Sequence, residues 1–121
     1  MRKTFFFIPF FNVFSHKGGN GPETCGNVTS LIGFLTFAKT QIPDMAFTIV
    51  EQVAKKNVVT VRGEWSGTPQ TAFGPFTGVQ LATPKKAFKI MTIDVHHIKD
   101  KKIAIVHHIE DWLTARAQIS A

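Results

Sequence analysis

This chain of 121 residues has no tyrosine, one cysteine and only eight acidic residues. A single cysteine, Cys25, excludes an internal disulfide bond and a zinc site built from cysteine ligands. No apolar run approaches the roughly 20 residues that a transmembrane helix needs. With 44% hydrophobic and 18% charged residues, the composition is typical of one folded domain with an apolar core.

Phenylalanine is abundant where tyrosine is missing: the chain has twelve Phe and two Trp residues. Since a Phe side chain brings a large apolar area and no hydroxyl group, this composition favours an apolar core or an apolar ligand cavity.

Fourteen basic residues give the chain a formal net charge of +6. Such a balance is compatible with a nucleic acid, an acidic surface or an anionic ligand. Seven of the lysines, however, lie at predicted turns, namely Lys55, Lys56, Lys85, Lys86, Lys99, Lys101 and Lys102. Charges at turns are usually solvated, so we expect no nucleic acid and no membrane as partner.

The first fifteen residues, 1–15, form a Phe-rich start that resembles a signal peptide. Pro9 interrupts its apolar run, and no clear cleavage site follows it. We therefore favour a first strand here, within a single domain that spans residues 1–121. The cytoplasm is the expected location, and export is the alternative if this start is a signal peptide.

Periodicity predicts an α+β fold with an antiparallel sheet. The predicted elements are a helix over 23–39, strands over 45–53, 58–66, 86–98 and 103–110, and a terminal helix over 111–121. Loops are predicted over 15–27 and 67–84, and a hairpin turn over 54–57 with Asn57 at positive φ.

Doubled histidines mark the last two predicted strands, as His96-His97 and His107-His108. Alternation puts Ile103, Ile105, His107, Ile109 and Asp111 on one face. If this face is the interior one, His107 and Asp111 face it together, about 13 Å apart along the strand. A pairing of His97 with His107, or of His96 with His108, would suit a proton relay.

Zinc is the alternative use of these imidazoles, with Asp111 as a further ligand. Alternation, however, leaves at most two of the four histidines on one side of the sheet.

Several short motifs follow one another in a familiar order from Pro43 onward. They are PDMAFT (43–48), GEWSGT (63–68), FTG (76–78), Ile93-Asp94, DKKI (100–103) and EDWL (110–113). In order and spacing they resemble the SnoaL-like polyketide cyclases and ester cyclases of the nuclear transport factor 2-like superfamily. The resemblance covers about two thirds of the chain.

The resemblance implies a cone-shaped, curved antiparallel sheet with packed helices that enclose an apolar pocket. It further implies a homodimer, a small hydrophobic carbonyl compound as ligand, and neither metal nor cofactor. The family activity is an intramolecular aldol cyclisation by acid/base chemistry.

Asp111 matches the family's acid/base aspartate, and His16 and His97 are the nearest matches to its assisting histidines. His107 joins this candidate catalytic set as a strand neighbour. An apolar cavity would raise the pKa of Asp111, although an aspartate here also suits the N-cap of the terminal helix. The expected ligand-binding residues are Trp65, Phe47, Phe73, Phe76, Ile109 and Trp112.

The chain also departs from the family pattern. It has Pro69 where the family often has His, Ile105 and His107 where it usually has Glu and Trp, and Lys101 where it has Gly. These departures favour an alternative function, a non-catalytic small-ligand-binding or dimerisation module of the same fold.

Overall fold

The computed structural model describes residues 3–4, 11–18 and 28–121, with the side chains of 32–121. In chain order the elements are β1 (Lys3–Thr4), β2 (Phe11–Gly18), α1 (Val28–Gln41), β3 (Ala46–Lys55), β4 (Val58–Gly67), β5 (Phe88–Lys99), β6 (Lys102–Glu110) and α2 (Trp112–Ile119). The described strands form one sheet in the order β1-β3-β4-β5-β6-β2.

The predicted α+β class and the curved antiparallel sheet are confirmed. All neighbouring strands are antiparallel except β2 and β6, which run parallel. The loop predicted over 15–27 is wrong over 15–18, because these residues belong to β2 and pair with β6. The rest of that loop and the predicted helix start, including Cys25, lie outside the described residues.

In both hairpin turns, non-glycine residues adopt the left-handed backbone conformation. Lys56 has φ +54°, so the positive φ predicted for Asn57 lies one residue earlier. In the β5–β6 hairpin, Asp100 and Lys101 both have positive φ, as a two-residue type I′ turn requires.

The core lies between one face of the sheet and the two helices. Its buried members are Ala38, Ile42, Met45, Trp65, Phe76, Phe88, Ile90, Ala115 and Ile119. We call this the inner face of the sheet, and the opposite one the outer face. Apolar burial of this kind is the main stabilising term for the fold.

Asp44 ties the start of β3 to the end of β4. Its carboxylate accepts hydrogen bonds from the Thr68 backbone N–H (2.8 Å) and from the Thr68 hydroxyl (2.7 Å). A Cβ at Gly67 would collide with the side chain of Ile42, so glycine is required beside this anchor. These contacts give a physical reason for the PDM and GT motifs.

No helix in the described part of the chain has the length and apolarity to cross a membrane.

Candidate functional site

Strict alternation fixes which side chains of β4 and β5 point inward. Buried Trp65 lies opposite Ile90, and Gly63 lies opposite buried Thr92. Continuing this alternation along β5 places Asp94 and His96 on the same inner face. The inner face thus changes from apolar near Phe88 to polar toward the β5–β6 turn.

The pairing of β5 with β6 then decides which residues of β6 share this face. Asp94 lies opposite His108, and Thr92 lies opposite Glu110. Residues directly opposite each other in a sheet project on the same side. Val106, His108 and Glu110 therefore point inward, while Ile105, His107 and Ile109 point outward.

The sequence-based alternative, with Ile105, His107, Ile109 and Asp111 on the interior face, is wrong. A register shift between His97 and Ile98 leaves Ala104 as an extra residue in β6. This bulge breaks the alternation, so Ile103 is buried whereas Ile109 is 52% exposed.

Three ionisable side chains meet on the inner face: Asp94, His108 and Glu110. The Nδ1 atom of His108 lies 3.8 Å from Asp94 Oδ1, and its Nε2 atom lies 3.6 Å from Glu110 Oε2. Both separations are longer than a hydrogen bond but within ion-pair range. The imidazole of His108 thus stands between two carboxyl groups on adjacent strands.

Burial shifts both carboxyl groups in the same direction. Desolvation, with a further contribution from the charge of Asp94, raises the pKa of Glu110 from 4.5 to about 8. An opposing hydrogen bond from the side chain of Trp112 stabilises the carboxylate form. Desolvation also raises the pKa of Asp94 from 3.8 to about 6. At pH 7, Glu110 is therefore mostly protonated and Asp94 mostly ionised.

His96 extends the polar row by one more inner position of β5. Its Nδ1 atom lies 3.3 Å from the carbonyl oxygen of Val59, a distance compatible with a weak hydrogen bond. Desolvation lowers the pKa of His96, which favours the neutral imidazole.

Asp111 follows Glu110 directly but has a different environment. Its exposed carboxylate caps α2, accepting hydrogen bonds from the Thr114 backbone N–H (3.1 Å) and the Thr114 hydroxyl (2.7 Å). These bonds hold the pKa of Asp111 below 3.8. The helix-cap position expected from the sequence is confirmed, and the acid/base role of Asp111 stays a prediction.

None of the three histidines of the predicted catalytic set is placed in the inner cluster by the described side chains. His97 and His107 contact each other on the outer face, with ring centroids 5.4 Å apart in an edge-to-face arrangement. His16 lies in β2, where its backbone pairs with Val106, and its side chain is outside the described part. Their catalytic roles stay predictions.

Five of the six predicted ligand-binding residues form an aromatic cluster next to Glu110. Trp65 stacks on Phe47 (4.9 Å between centroids) and meets Trp112 edge to face (4.6 Å). Phe76 meets Trp112 edge to face, and Phe73 joins the cluster through a ring contact with Phe76. Ile109, the sixth, is separated from this cluster because it points outward.

Within this cluster Trp65 and Phe76 are buried, whereas Phe47, Phe73 and Trp112 keep some exposed surface. The buried indole N–H of Trp65 has no hydrogen-bond acceptor among the described residues. Because Trp112 donates a hydrogen bond to Glu110, the apolar cluster and the ionisable cluster are in direct contact.

The described residues include no group of three or more His, Cys, Asp or Glu side chains arranged to hold a metal ion.

Comparison with protein families identifies the chain. The sequence profile of the SnoaL-like polyketide cyclases matches residues 19–119. This protein belongs to the SnoaL-like polyketide cyclase family. A comparison with curated proteins found no match.

Solved structures share the SnoaL-like fold at low sequence identity. IdmH of Streptomyces antibioticus, a candidate polyketide cyclase, has 24% identity and a TM-score of 0.70, covering 88% of this chain and 76% of its own. A candidate SnoaL-like cyclase from Jannaschia has 16% identity and a TM-score of 0.73, with 93% and 74% covered. These likenesses support the fold alone.

A third neighbour widens the comparison beyond cyclases. A protein of ketosteroid isomerase-like fold from Catenulispora acidiphila, solved with trimethylamine, has 12% identity and a TM-score of 0.71, with 93% and 78% covered. Candidate cyclases and a protein of ketosteroid isomerase-like fold thus share one architecture, so function has to be argued from the side chains of the site.

Sequence reasoning missed Glu110 as a site residue, considered His108 only as a possible relay partner of His96, and did not include Asp94 in the candidate site. The signal that could have found them is the register of the last hairpin, which places one acidic residue of β5 beside one of β6. That register depends on the bulge at Ala104, which alternation alone does not predict.

Proposed function

We propose that this SnoaL-like protein catalyses an intramolecular aldol cyclisation of a small hydrophobic carbonyl compound, with Asp94 as general base and Glu110 as general acid. The single observation that carries the proposal is the inner-face cluster, in which His108 stands between the carboxyl groups of Asp94 and Glu110. Burial raises the pKa of Asp94 to about 6 and that of Glu110 to about 8. Two carboxyl groups held on opposite sides of neutral pH divide the acid and base roles between them.

The reaction needs two proton transfers. The Asp94 carboxylate takes a proton from a carbon next to one carbonyl group, and the resulting enolate carbon attacks a second carbonyl carbon. Glu110 then gives its proton to the new alkoxide oxygen, which becomes a hydroxyl group. The proton now on Asp94 passes to Glu110 by way of His108, whose imidazole lies between the two carboxyl groups, and the starting state is restored.

The aromatic cluster supports binding of the apolar part of such a ligand. Phe47, Phe73 and Trp112 keep accessible surface, so they are the members able to contact a ligand directly. Trp65 and Phe76 are buried behind them and hold their positions. The hydrogen bond from Trp112 to Glu110 would place the bound carbonyl groups beside the acid.

Paired amide substitutions of two adjacent residues test this assignment. Glu110→Gln removes the transferable proton, and we expect it to lower the rate by about 100-fold to 1,000-fold. Asp111→Asn is the matched control, because asparagine caps a helix as well as aspartate does. The measurement is ring closure of a small linear diketone that can form a six-membered ring, followed by proton NMR.

The wild-type rate should peak near pH 7, where Asp94 is ionised and Glu110 is protonated. A loss of activity in Asp111→Asn with Glu110→Gln unaffected would return the role to Asp111. Saturable binding of the diketone without any turnover would instead favour the non-catalytic, ligand-binding alternative.

We also infer that the outer face of β5 and β6 forms a homodimer interface. Outward positions of a half-exposed sheet are normally polar, yet here they include Met91, Ile105 and Ile109, each at least 36% exposed. Adjacent exposed apolar side chains of this kind are typical of a protein interface. A second copy would cover this patch and the His97–His107 pair within it.

A further inference from the structure

Two hairpin turns lie side by side at one end of the sheet. Strands β4 and β5 are neighbours, and Val58 lies opposite His97. The Ile98 backbone N–H donates a hydrogen bond to the carbonyl oxygen of Asn57 (2.8 Å), which joins the two turns directly. We refer to residues 55–57 and 99–102 together as the hairpin tips.

The hairpin tips are strongly basic. Their five lysines are Lys55, Lys56, Lys99, Lys101 and Lys102, and all are exposed. Asp100 is the one acidic residue among them. Within residues 32–121, none of these ammonium groups forms an ion pair, whereas Arg62 and Lys89 are paired with Glu51 and Glu64.

Four of these five lysines occupy positions that disfavour them. In the described part of the chain, the non-glycine residues with positive φ are Lys56, Asp100 and Lys101, and all three belong to the tips. Left-handed backbone favours glycine or asparagine. Lys99 and Lys102 also lie directly opposite each other, and like charges at such a pair repel. The tips thus combine strained backbone with unpaired positive charge.

From this combination we propose that the hairpin tips bind an acidic surface of a partner protein. A surface rich in carboxylates would neutralise the five ammonium groups and relieve the repulsion between Lys99 and Lys102.

Two other anionic partners fit the tips less well. Arginine, the side chain suited to paired contacts with phosphate, is missing from them, and so are aromatic side chains on which bases stack. They also lack an apolar side chain that could enter a lipid bilayer. An acidic protein needs none of these groups.

The tips are separate from the acid/base cluster. From Asp94 to Lys99 the chain advances five residues along β5, or about 17 Å. Docking at the tips therefore does not depend on the proposed cyclase chemistry and can be tested without a substrate.

The test uses poly-L-glutamate as the acidic probe, titrated against the full chain at low salt. The variant Lys56→Gly with Lys101→Gly removes two tip charges, and we expect it to bind roughly fivefold more weakly. The matched control, Lys85→Gln with Lys86→Gln, removes two exposed charges elsewhere and should stay within about twofold of wild type.

Melting temperature separates binding from folding in this test. Glycine suits the left-handed positions, so the tip variant should melt at or above the wild-type temperature while binding the probe more weakly. Equal weakening in both variants, or no binding of poly-L-glutamate by wild type, would overturn the proposal. So would a stronger dependence on the tips for duplex DNA, or for phosphatidylserine vesicles, than for poly-L-glutamate.

Discussion

The two faces of the β5–β6 hairpin carry the same kinds of side chain in opposite surroundings. Each face receives one histidine of each doublet, so His96 and His108 point inward and His97 and His107 outward. On this hairpin, the carboxyl groups whose pKa is raised by burial lie on the inner face, whereas the exposed apolar residues lie on the outer face. The chemistry of this hairpin therefore follows from its faces rather than from residue type.

Glu110 and Asp111 show the same contrast within two adjacent residues. Burial raises the pKa of Glu110 to about 8, and hydrogen bonds from Thr114 lower the pKa of exposed Asp111. In the sequence motif EDWL the two acids look equivalent. In the structure, Glu110 is the last residue of β6 and points inward, whereas Asp111 is the N-cap of α2. Three experiments test how far these contrasts hold.

The largest effect is expected from Glu110→Gln on stability at high pH. Because the pKa of Glu110 is raised in the folded state, the folded protein holds its proton more tightly than the unfolded chain does. The associated stability is present below pH 4.5 and is lost as the pH rises through about 8. The amide of the substituted side chain cannot ionise. At about pH 9, the free energy of unfolding of the variant should therefore exceed that of wild type by on the order of 3 kcal/mol.

Urea denaturation of wild type and variant at about pH 4 and about pH 9 measures this difference. The two proteins should be similar at the lower pH, where Glu110 is mostly protonated in both the folded and the unfolded state. A variant that is equally stable or less stable at the higher pH would contradict a buried, protonated Glu110.

A smaller effect is expected at the outer face. Met91→Asp would bury a charge in the proposed homodimer interface, and we expect the dissociation constant of the dimer to rise about a hundredfold. Leu113→Asp is the control, because Leu113 is 77% exposed but lies on α2. Sedimentation equilibrium of the three proteins measures the dissociation constants. A wild-type protein that stays monomeric at high concentration would refute this interface.

The smallest effect is expected for the helix cap. Asp111→Ala removes the acceptor of both Thr114 hydrogen bonds, so its melting temperature should fall by a few degrees at neutral pH. Since the folded pKa of Asp111 is lowered, this contribution is present above pH 3.8 and disappears as the pH falls further. Calorimetry over a pH series checks it, and a difference that persists at low pH would argue against the capping role.

Most of the fold could be predicted because its signals are local. Alternation in β3 and β4, turn residues between the strands, and the Asp-Trp start of α2 each depend on a few neighbouring residues. The parallel pairing of β2 with β6 was not predicted, since it joins segments from opposite ends of the sequence and has no local pattern.

The site was harder to predict for a related reason. Ile105 and Ile109 make the outward side of β6 look like the buried one, because alternation detects apolar character and not direction. The bulge at Ala104 and the register with β5 decide the direction, and both are properties of strand pairing. Glu110 therefore became visible only when its neighbours across the sheet were known.

The most direct test is the titration of Glu110, followed by the carbon NMR signal of its side-chain carboxyl group and assigned by its loss in Glu110→Gln. We expect a midpoint near pH 8, well above that of an ordinary glutamate. A midpoint near 4.5 would mean that Glu110 is ionised and solvated at neutral pH, and the inner face would then hold no general acid.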